Sequence, residues 1–217
     1  MKIKETPIPK DQYYPEVQTK TQIVLHHTVS DPKAQVGDIN SWLSDKLRIS
    51  TYAIISYDGT INKCFPSNNW ANHLGVKSDT LKSMGFKDYG TRNEILNKQT
   101  IAIEIDCWGG LVSKDGKYLN AYGKPIASDL EVVECKWRGF THFQKYSKAQ
   151  IQTLSELLPE LMKANNIPNY GIKDGNFDVR MDALKGEKGI FSHSSYRKDK
   201  SDLYPDKDLI QMLNNLK

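Results

Sequence analysis

The chain has 217 residues, of which 38% are hydrophobic and 26% are charged. These proportions are typical of an ordinary globular protein and exclude a disordered chain. No run approaches the ~18–20 consecutive apolar residues that cross a bilayer, so no membrane partner is expected. The formal net charge of +4 is too small to indicate nucleic-acid binding by itself, although it suits an anionic partner such as a cell-wall polymer.

The N-terminal residues and the cysteines narrow the class of protein further. The first ten residues, MKIKETPIPK, lack the apolar run of a secretory signal peptide, so we expect synthesis in the cytoplasm. Cys64, Cys107 and Cys135 are widely spaced and odd in number, which predicts unpaired thiols rather than a disulfide framework or a cysteine-rich zinc site. No repeat or flexible linker divides the chain. We therefore predict an irregular lead-in over residues 1–20 and one domain over residues 21–217.

Sequence patterns predict the elements in the first half of the chain. Residues 23–27 form a short apolar run that ends in two histidines, which indicates a buried strand. Residues 34–47 carry apolar side chains at helical spacing and predict an amphipathic helix. Asp58 and Gly59 separate two β-prone runs, a pattern that predicts a hairpin with a type I′ turn because both residue types tolerate positive φ.

The second half continues the alternation of strands and helices. Residues 100–107 alternate as a strand does, and residues 108–146, with several glycines and aromatic residues, indicate an insertion. A capping box begins a helix over residues 147–165, which Pro159 is expected to kink or divide. A short helix follows Pro205. The predicted fold class is therefore α/β, a single domain with a central mixed β-sheet flanked by α-helices.

Two histidine contexts suggest a metal. His26 and His27 end the first strand, where successive side chains point to opposite faces, so one can enter a cleft while the other turns toward the core. His193 precedes a Lys200-Ser201-Asp202 segment that, if extended, places an ammonium and a carboxylate on one face. Two neutral imidazoles and a carboxylate suit Zn²⁺ and leave a fourth position for water. The alternative is an ordinary histidine pair and a solvated loop.

Glu104 is a candidate general base. On the predicted strand, Ile101, Ile103 and Ile105 share one face, and Glu104 lies on the other face with Asp106. If Glu104 faces the metal, it can accept a proton from an attacking water. The alternative is a structural carboxylate at the edge of a sheet, with its hydrogen bonds already made and no catalytic role.

These features occur in an order that resembles a known family. The chain is similar to the zinc-dependent N-acetylmuramoyl-L-alanine amidases, which include phage amidase lysozymes, cell-wall recycling amidases and peptidoglycan recognition proteins. The resemblance runs from about residue 20 to the C-terminus. It rests on IVLHHT (23–28), STYAIISYDGT (50–60), WANHLG (70–75), IAIE (101–104) and the segment from His193 to Asp202.

The resemblance implies a role for each matching residue. His26, His193 and Asp202 match the zinc ligands of the family. Lys200 matches the lysine that stabilises the oxyanion, and Glu104 matches the catalytic acidic residue of the recycling-type branch.

The resemblance also implies a set of substrate-binding residues. His73 matches a substrate-side histidine, and we expect it in the cleft with Asn72. Many members have a histidine and an aromatic residue in the hairpin strand, where this chain has Tyr52-Ala53. Tyr52 is therefore predicted to supply a hydroxyl to the substrate, and the segment 108–146 is predicted to wall the substrate groove.

The implied function is hydrolysis of the amide between N-acetylmuramic acid and L-alanine in peptidoglycan, with Zn²⁺ as cofactor and a muropeptide as the substrate. We expect a monomer that acts as a phage or prophage endolysin and reaches the wall after release by a separate lysis protein. A cytoplasmic recycling amidase is the alternative setting. A peptidoglycan receptor without catalysis is the alternative function. A zinc peptidase is less favoured because the chain has no HExxH helix.

Overall fold

The computed structural model describes residues 1–33, 37–44 and 46–216 of the chain. The strands are β1 (Ile3–Glu5), β2 (Gln22–His27), β3 (Ala53–Ile55), β4 (Ile61–Lys63), β5 (Thr100–Ile105), β6 (Gly110–Lys114), β7 (Lys117–Leu119), β8 (Val132–Trp137), β9 (Phe140–Gln144) and β10 (Gly189–Ser192). The α-helices are α1 (Gly37–Leu43), α2 (Ser78–Ser83), α3 (Arg92–Gln99), α4 (Lys148–Asn165), α5 (Met181–Lys185) and α6 (Lys207–Asn214). Short 3₁₀ turns span Ile172–Asp174 and His193–Ser195.

A six-stranded mixed sheet, in the order β1-β4-β3-β5-β2-β10, forms the centre of the molecule. Strands β3, β5, β2 and β10 run parallel to one another, and β4 returns antiparallel to β3. Every residue of β2 is buried, as expected for a parallel strand that is covered on both faces. The predicted mixed sheet flanked by helices is confirmed.

The two faces of this sheet pack into separate apolar clusters. Leu25 and Ile103 lie in the larger cluster with Leu158 of α4. Val24 lies in the smaller cluster with Leu184 of α5. Because neighbouring side chains of a strand alternate between faces, the last two residues of β2 are directed to opposite sides of the sheet.

The β3–β4 hairpin forms, but its turn differs from the prediction. The Gly59 N–H donates to the Ser56 carbonyl at 2.8 Å, and the Ser56 N–H donates to Thr60 at 2.9 Å. Gly59 has a φ of +81°, whereas Asp58 is not among the residues with positive φ. The type I′ prediction is therefore wrong, since that turn needs two such residues. The Asp58 carboxylate instead accepts the Thr60 N–H at 2.9 Å and holds the loop.

Helix α4 covers the larger cluster and has the predicted capping box. Ser147 Oγ accepts the Gln150 N–H at 3.0 Å, and Gln150 Oε1 accepts the Ser147 N–H at 2.9 Å. The helix runs undivided through Pro159. Its buried leucines on either side of the proline, Leu158 and Leu161, provide packing that outweighs the lost backbone hydrogen bond.

Of the other two predicted helices, the first is shorter than its pattern suggested, and the second follows Pro205 as predicted. Helix α1 ends at Leu43, and residues 46–47 are not helical, so the predicted end at residue 47 is wrong. Residues 34–36 and 45 of that prediction lie outside the described part of the chain. Helix α6 begins at Lys207, where the Asp206 side chain caps it by accepting the Leu209 N–H at 2.9 Å.

The segment 108–146 folds as a second, four-stranded sheet in the order β7-β6-β9-β8. Its β8–β9 hairpin contacts the loop after β10: Trp137 Nε1 donates to the Ser201 carbonyl at 3.2 Å, and Arg138 donates to the Lys198 carbonyl. The three cysteines are free thiols, as predicted. Within the described ranges, no helix has both the length and the apolar character that spanning a bilayer requires.

Candidate metal centre and active site

A cavity of about 220 Å³ opens at the carboxyl ends of the parallel strands. Strand β2 ends there with His26, and Glu104 is its direct partner on β5. Strand β10 leads into the 3₁₀ turn that begins with His193. Ligand sites of open α/β sheets form at this edge, because the loops that follow parallel strands meet there. The lining residues that the structure describes all lie outside the segment 108–146.

Three buried side chains converge in this cavity. Asp202 Oδ2 lies 3.2 Å from His26 Nδ1 and 2.9 Å from His193 Nδ1. Potential ligand atoms of all three residues fall within 4.8 Å of one another. The structure thus brings together the three residues that the sequence predicts as metal ligands.

The hydrogen bond on the far side of the His193 ring fixes the position of its proton. His193 Nε2 lies 2.8 Å from the Leu74 carbonyl oxygen. A carbonyl only accepts, so Nε2 must carry the proton and donate it. In the neutral ring, Nδ1 then presents a lone pair toward Asp202.

A longer chain of hydrogen bonds fixes the His26 proton in the same way. Thr100 Oγ1 donates to the Asn97 carbonyl at 3.1 Å, and while it does so it accepts from His73 Nε2, which lies 2.6 Å away. His73 Nδ1 is then an acceptor and receives the proton of His26 Nε2 at 2.9 Å. His26 Nδ1 therefore also presents a lone pair toward Asp202.

Three acceptors consequently face one another in a buried space, and this arrangement suits a cation between them. Burial lowers the pKa of His26 to about 4. At neutral pH this imidazole is therefore neutral and does not supply the positive charge between the three acceptors. Two imidazole nitrogens and one carboxylate oxygen are a donor set that suits Zn²⁺. The residues present therefore fit the metal that the sequence suggested.

Glu104 and Lys200 line the same cavity. Glu104 Oε2 is buried and has no hydrogen-bond partner among the described residues. Burial, followed by the nearby negative charge of Asp202, raises the pKa of Glu104 well above its ordinary value. A carboxyl group with raised proton affinity beside an open space is suited to proton transfer.

The three predicted substrate-binding residues fall in different places. His73 lines the cavity, but both of its ring nitrogens are engaged by His26 and Thr100. Asn72 does not line the cavity; its side chain donates to the Leu47 carbonyl at 3.0 Å.

Tyr52 requires a correction. Its side chain is buried in the larger apolar cluster, and burial raises the pKa of its hydroxyl to about 12. The next contributions to that pKa come from Glu5 on β1 and Glu160 on α4. The residue lies in a bend before β3, so strand alternation does not govern its direction. Its neighbour Thr51 lines the cavity instead.

Sequence reasoning missed two further residues that build this site. Thr100 and Asn97 lie at the junction of α3 and β5 and hold His73 by hydrogen bonds. Neither belongs to a motif, and only the packing of α3 beside the loop at residue 73 brings them to the site.

The comparisons with known proteins agree with this geometry. The family model described as N-acetylmuramoyl-L-alanine amidase matches residues 17–205. The chain belongs to this family. No curated protein sequence matches the chain.

Solved structures of similar fold span the whole chain. PlyL is 15% identical, with a TM-score of 0.51 over 100% of this chain and 98% of its own. The N-acetylmuramoyl-L-alanine amidase LysC from Clostridium intestinale is 15% identical, with a TM-score of 0.50 over 100% and 99%. The Staphylococcus aureus hydrolase AmiA is 14% identical, with a TM-score of 0.51 over 99% and 82%. At these identities the similarity establishes the fold.

Proposed function

We propose that this chain is a zinc-dependent amidase that hydrolyses the bond between N-acetylmuramic acid and L-alanine in peptidoglycan. The observation that carries the proposal is the convergence of potential ligand atoms of His26, His193 and Asp202, all within 4.8 Å of one another, in a member of this family. The Leu74 carbonyl accepts the Nε2 proton of His193, which leaves the lone pair of Nδ1 facing Asp202 and suits a cation at that place.

The proposed chemistry divides between the metal and two side chains. A zinc ion held by the three ligands would supply Lewis acidity for a carbonyl and for a water molecule. Glu104 accepts the proton of the attacking water and returns it to the departing amine of L-alanine. The Lys200 ammonium, on the wall of the same cavity, stabilises the negative charge that develops on the carbonyl oxygen.

The experiment that tests the activity is digestion of purified sacculi followed by mass spectrometry of the products. We expect free stem peptides that begin with L-alanine, loss of their release with a chelator, and recovery when Zn²⁺ is added. Glu104→Gln is expected to bind zinc normally and to release peptide ~10²–10⁴-fold more slowly. The matched control is Glu134→Gln, an exposed glutamate on β8, which should behave as the unmodified protein. Binding to sacculi without release would favour a receptor and contradict the proposal.

The biological setting proposed is lysis of a bacterial wall by a phage or prophage endolysin acting as a monomer. Its net charge of +4 favours contact with anionic wall polymers. An endolysin should clear a suspension of cells with exposed walls and prefer intact sacculi to soluble muropeptides. The reverse preference would indicate the alternative role in wall recycling.

A further inference from the structure

We propose that Asn97, Thr100 and His73 are positioning residues that set the tautomers of both histidine ligands. The inference rests on the proposed metal binding, and it assigns to the end of α3 a task that no motif of the chain indicates. These residues form hydrogen bonds to a histidine ligand or to the residues that the ligands contact. Their effect on the reaction is therefore transmitted through His26 and His193.

Asn97 supports both chains of hydrogen bonds, the one that begins at His193 Nε2 and the one that begins at His26 Nε2. It is fully buried in the last turn of α3. Its side-chain Oδ1 accepts the backbone N–H groups of His73 at 3.1 Å and Leu74 at 3.2 Å. These two bonds hold the two peptide groups that precede the Leu74 carbonyl, and this carbonyl accepts from His193 Nε2 at 2.8 Å.

The main-chain carbonyl of Asn97 takes part in the chain of hydrogen bonds that begins at His26 Nε2. It accepts the hydroxyl of Thr100, which turns the lone pairs of that hydroxyl toward His73 Nε2. His73 then accepts from His26 Nε2. The carbonyl of Asn97 therefore ends the longer chain of hydrogen bonds, and its side chain anchors the backbone beside the Leu74 carbonyl that accepts from His193. In this arrangement the proton of each ligand ring is held at Nε2.

Reversal of the longer chain would block the centre. If His73 carried its proton on Nδ1, it would donate to His26 Nε2, and the proton of His26 would move to Nδ1, facing Asp202. A protonated ring nitrogen is not a ligand. The Thr100 hydroxyl, anchored on a carbonyl that only accepts, makes this reversal unfavourable. Partners of this kind hold the ring orientation and tautomer of metal-binding histidines.

The central experiment compares Thr100→Val with Thr100→Ser. Valine keeps the shape of threonine but lacks the acceptor, whereas serine keeps the hydroxyl. Zinc affinity, measured by competition with a chromogenic chelator, should fall ~10–100-fold in the valine variant and should change less than threefold in the serine variant. Equal affinities of the two variants would overturn the proposal.

A second pair of variants tests whether Thr100 acts through His73. In His73→Asn, the amide oxygen can accept from His26 Nε2 without help from Thr100. Adding Thr100→Val to His73→Asn should then change zinc affinity less than twofold. A further 10-fold loss in the double variant would show that Thr100 acts by another route and would refute the relay.

Nitrogen NMR of the histidine rings separates failure of this inference from failure of the proposed function. In the metal-free protein at pH 8, His26, His73 and His193 should all show the Nε2–H tautomer, even if zinc binding is not detected. An Nδ1–H signal for His26 would overturn the inference while leaving the amidase proposal intact. If the valine variant does not fold, the tautomers of the unmodified protein and of Thr100→Ser still decide the question.

Discussion

Replacing Asp202 with asparagine should weaken metal binding and stabilise the metal-free protein. In the unmodified protein Asp202 Oδ2 accepts nothing from the two imidazole Nδ1 atoms, which lie 2.9 and 3.2 Å away and present lone pairs. An amide nitrogen at the same place would donate one hydrogen to each ring. The change thus converts mutual repulsion of three acceptors into two hydrogen bonds.

The size of both effects follows from this geometry. Two new buried hydrogen bonds contribute about 1–3 kcal/mol to the free energy of unfolding of the metal-free protein. Structural zinc sites with four ligands contribute roughly 10–16 kcal/mol of binding free energy, so loss of one anionic ligand should cost about 3 kcal/mol. Since 1.4 kcal/mol corresponds to a factor of ten, zinc affinity should fall ~10²-fold.

The assay is urea unfolding with a chelator at pH 8, combined with thermal unfolding with and without Zn²⁺. At the same Zn²⁺ concentration, zinc should raise the melting temperature of the unmodified protein more than that of Asp202→Asn, because the stabilisation falls with the lower affinity. Asp199→Asn, which alters an exposed ion pair with Arg197 on the same loop, is the matched control and should change neither quantity appreciably. The reasoning is refuted if the metal-free asparagine variant is the less stable protein, or if it binds zinc within threefold of the original.

Further predictions concern charge, packing and pH. Lys200→Met should retain zinc but lower kcat on sacculi ~10²–10³-fold; an unchanged kcat would remove Lys200 from the oxyanion role. Gly109→Ala should lower the free energy of unfolding by about 2–4 kcal/mol, because its φ is +70° and a Cβ would collide with the buried His27 ring. The control Gly116→Ala, with a φ of +71° and nothing within 4 Å, should cost only about 1 kcal/mol; equal losses in urea unfolding would contradict the packing argument. Burial raises the pKa of Asp106 above its ordinary value of 3.8, so the folded state retains a proton that the unfolded chain releases, and stability falls as the pH rises above about 4. Asp106→Asn should flatten this slope between pH 5 and pH 8, and an unaltered slope would exclude Asp106 as its source.

The sequence predicted those parts of the molecule in which one local pattern decides the structure. The apolar run before His26 and the alternation around Glu104 both gave correct strands, because burial on one or both faces leaves its period in the sequence. The capping box at Ser147 located the start of α4 to the residue. His26 and Glu104 meet in one cavity because the parallel strands β2 and β5 end at the same edge; the family resemblance, and not a local pattern, indicated that Glu104 belongs to the site.

The remaining parts depend on contacts between distant residues. Strands β8 and β9 are short, half-exposed and interrupted by an irregular pairing between Glu134 and Trp137, so no clear period marks them. Tyr52 was misassigned because a bend, and not a strand, sets its direction. Thr100 joins the site only through His73, which lies 27 residues away in the chain, and no local pattern encodes that contact.

The adjacent histidines also depend on the register of β2, which the apolar pattern alone does not fix. Both faces of β2 are buried, so a shift by one residue would exchange His26 and His27 at little hydrophobic cost. Polar contacts at the two ends of the strand decide between the registers. Gln22 donates to the carbonyls of Ala183 and Glu187 at 3.1 and 2.9 Å, bonds that a shifted strand would lose.

At the other end of β2, the imidazole of His27 fits where Gly109 has no Cβ, and its Nδ1 lies 3.1 Å from the Tyr146 hydroxyl. His26 could not replace it there without giving up Asp202 and His73. The fold therefore assigns the two identical side chains to different tasks through the space and the hydrogen-bond partners at each end of one strand. The metal centre is specified by that register as much as by the ligands themselves.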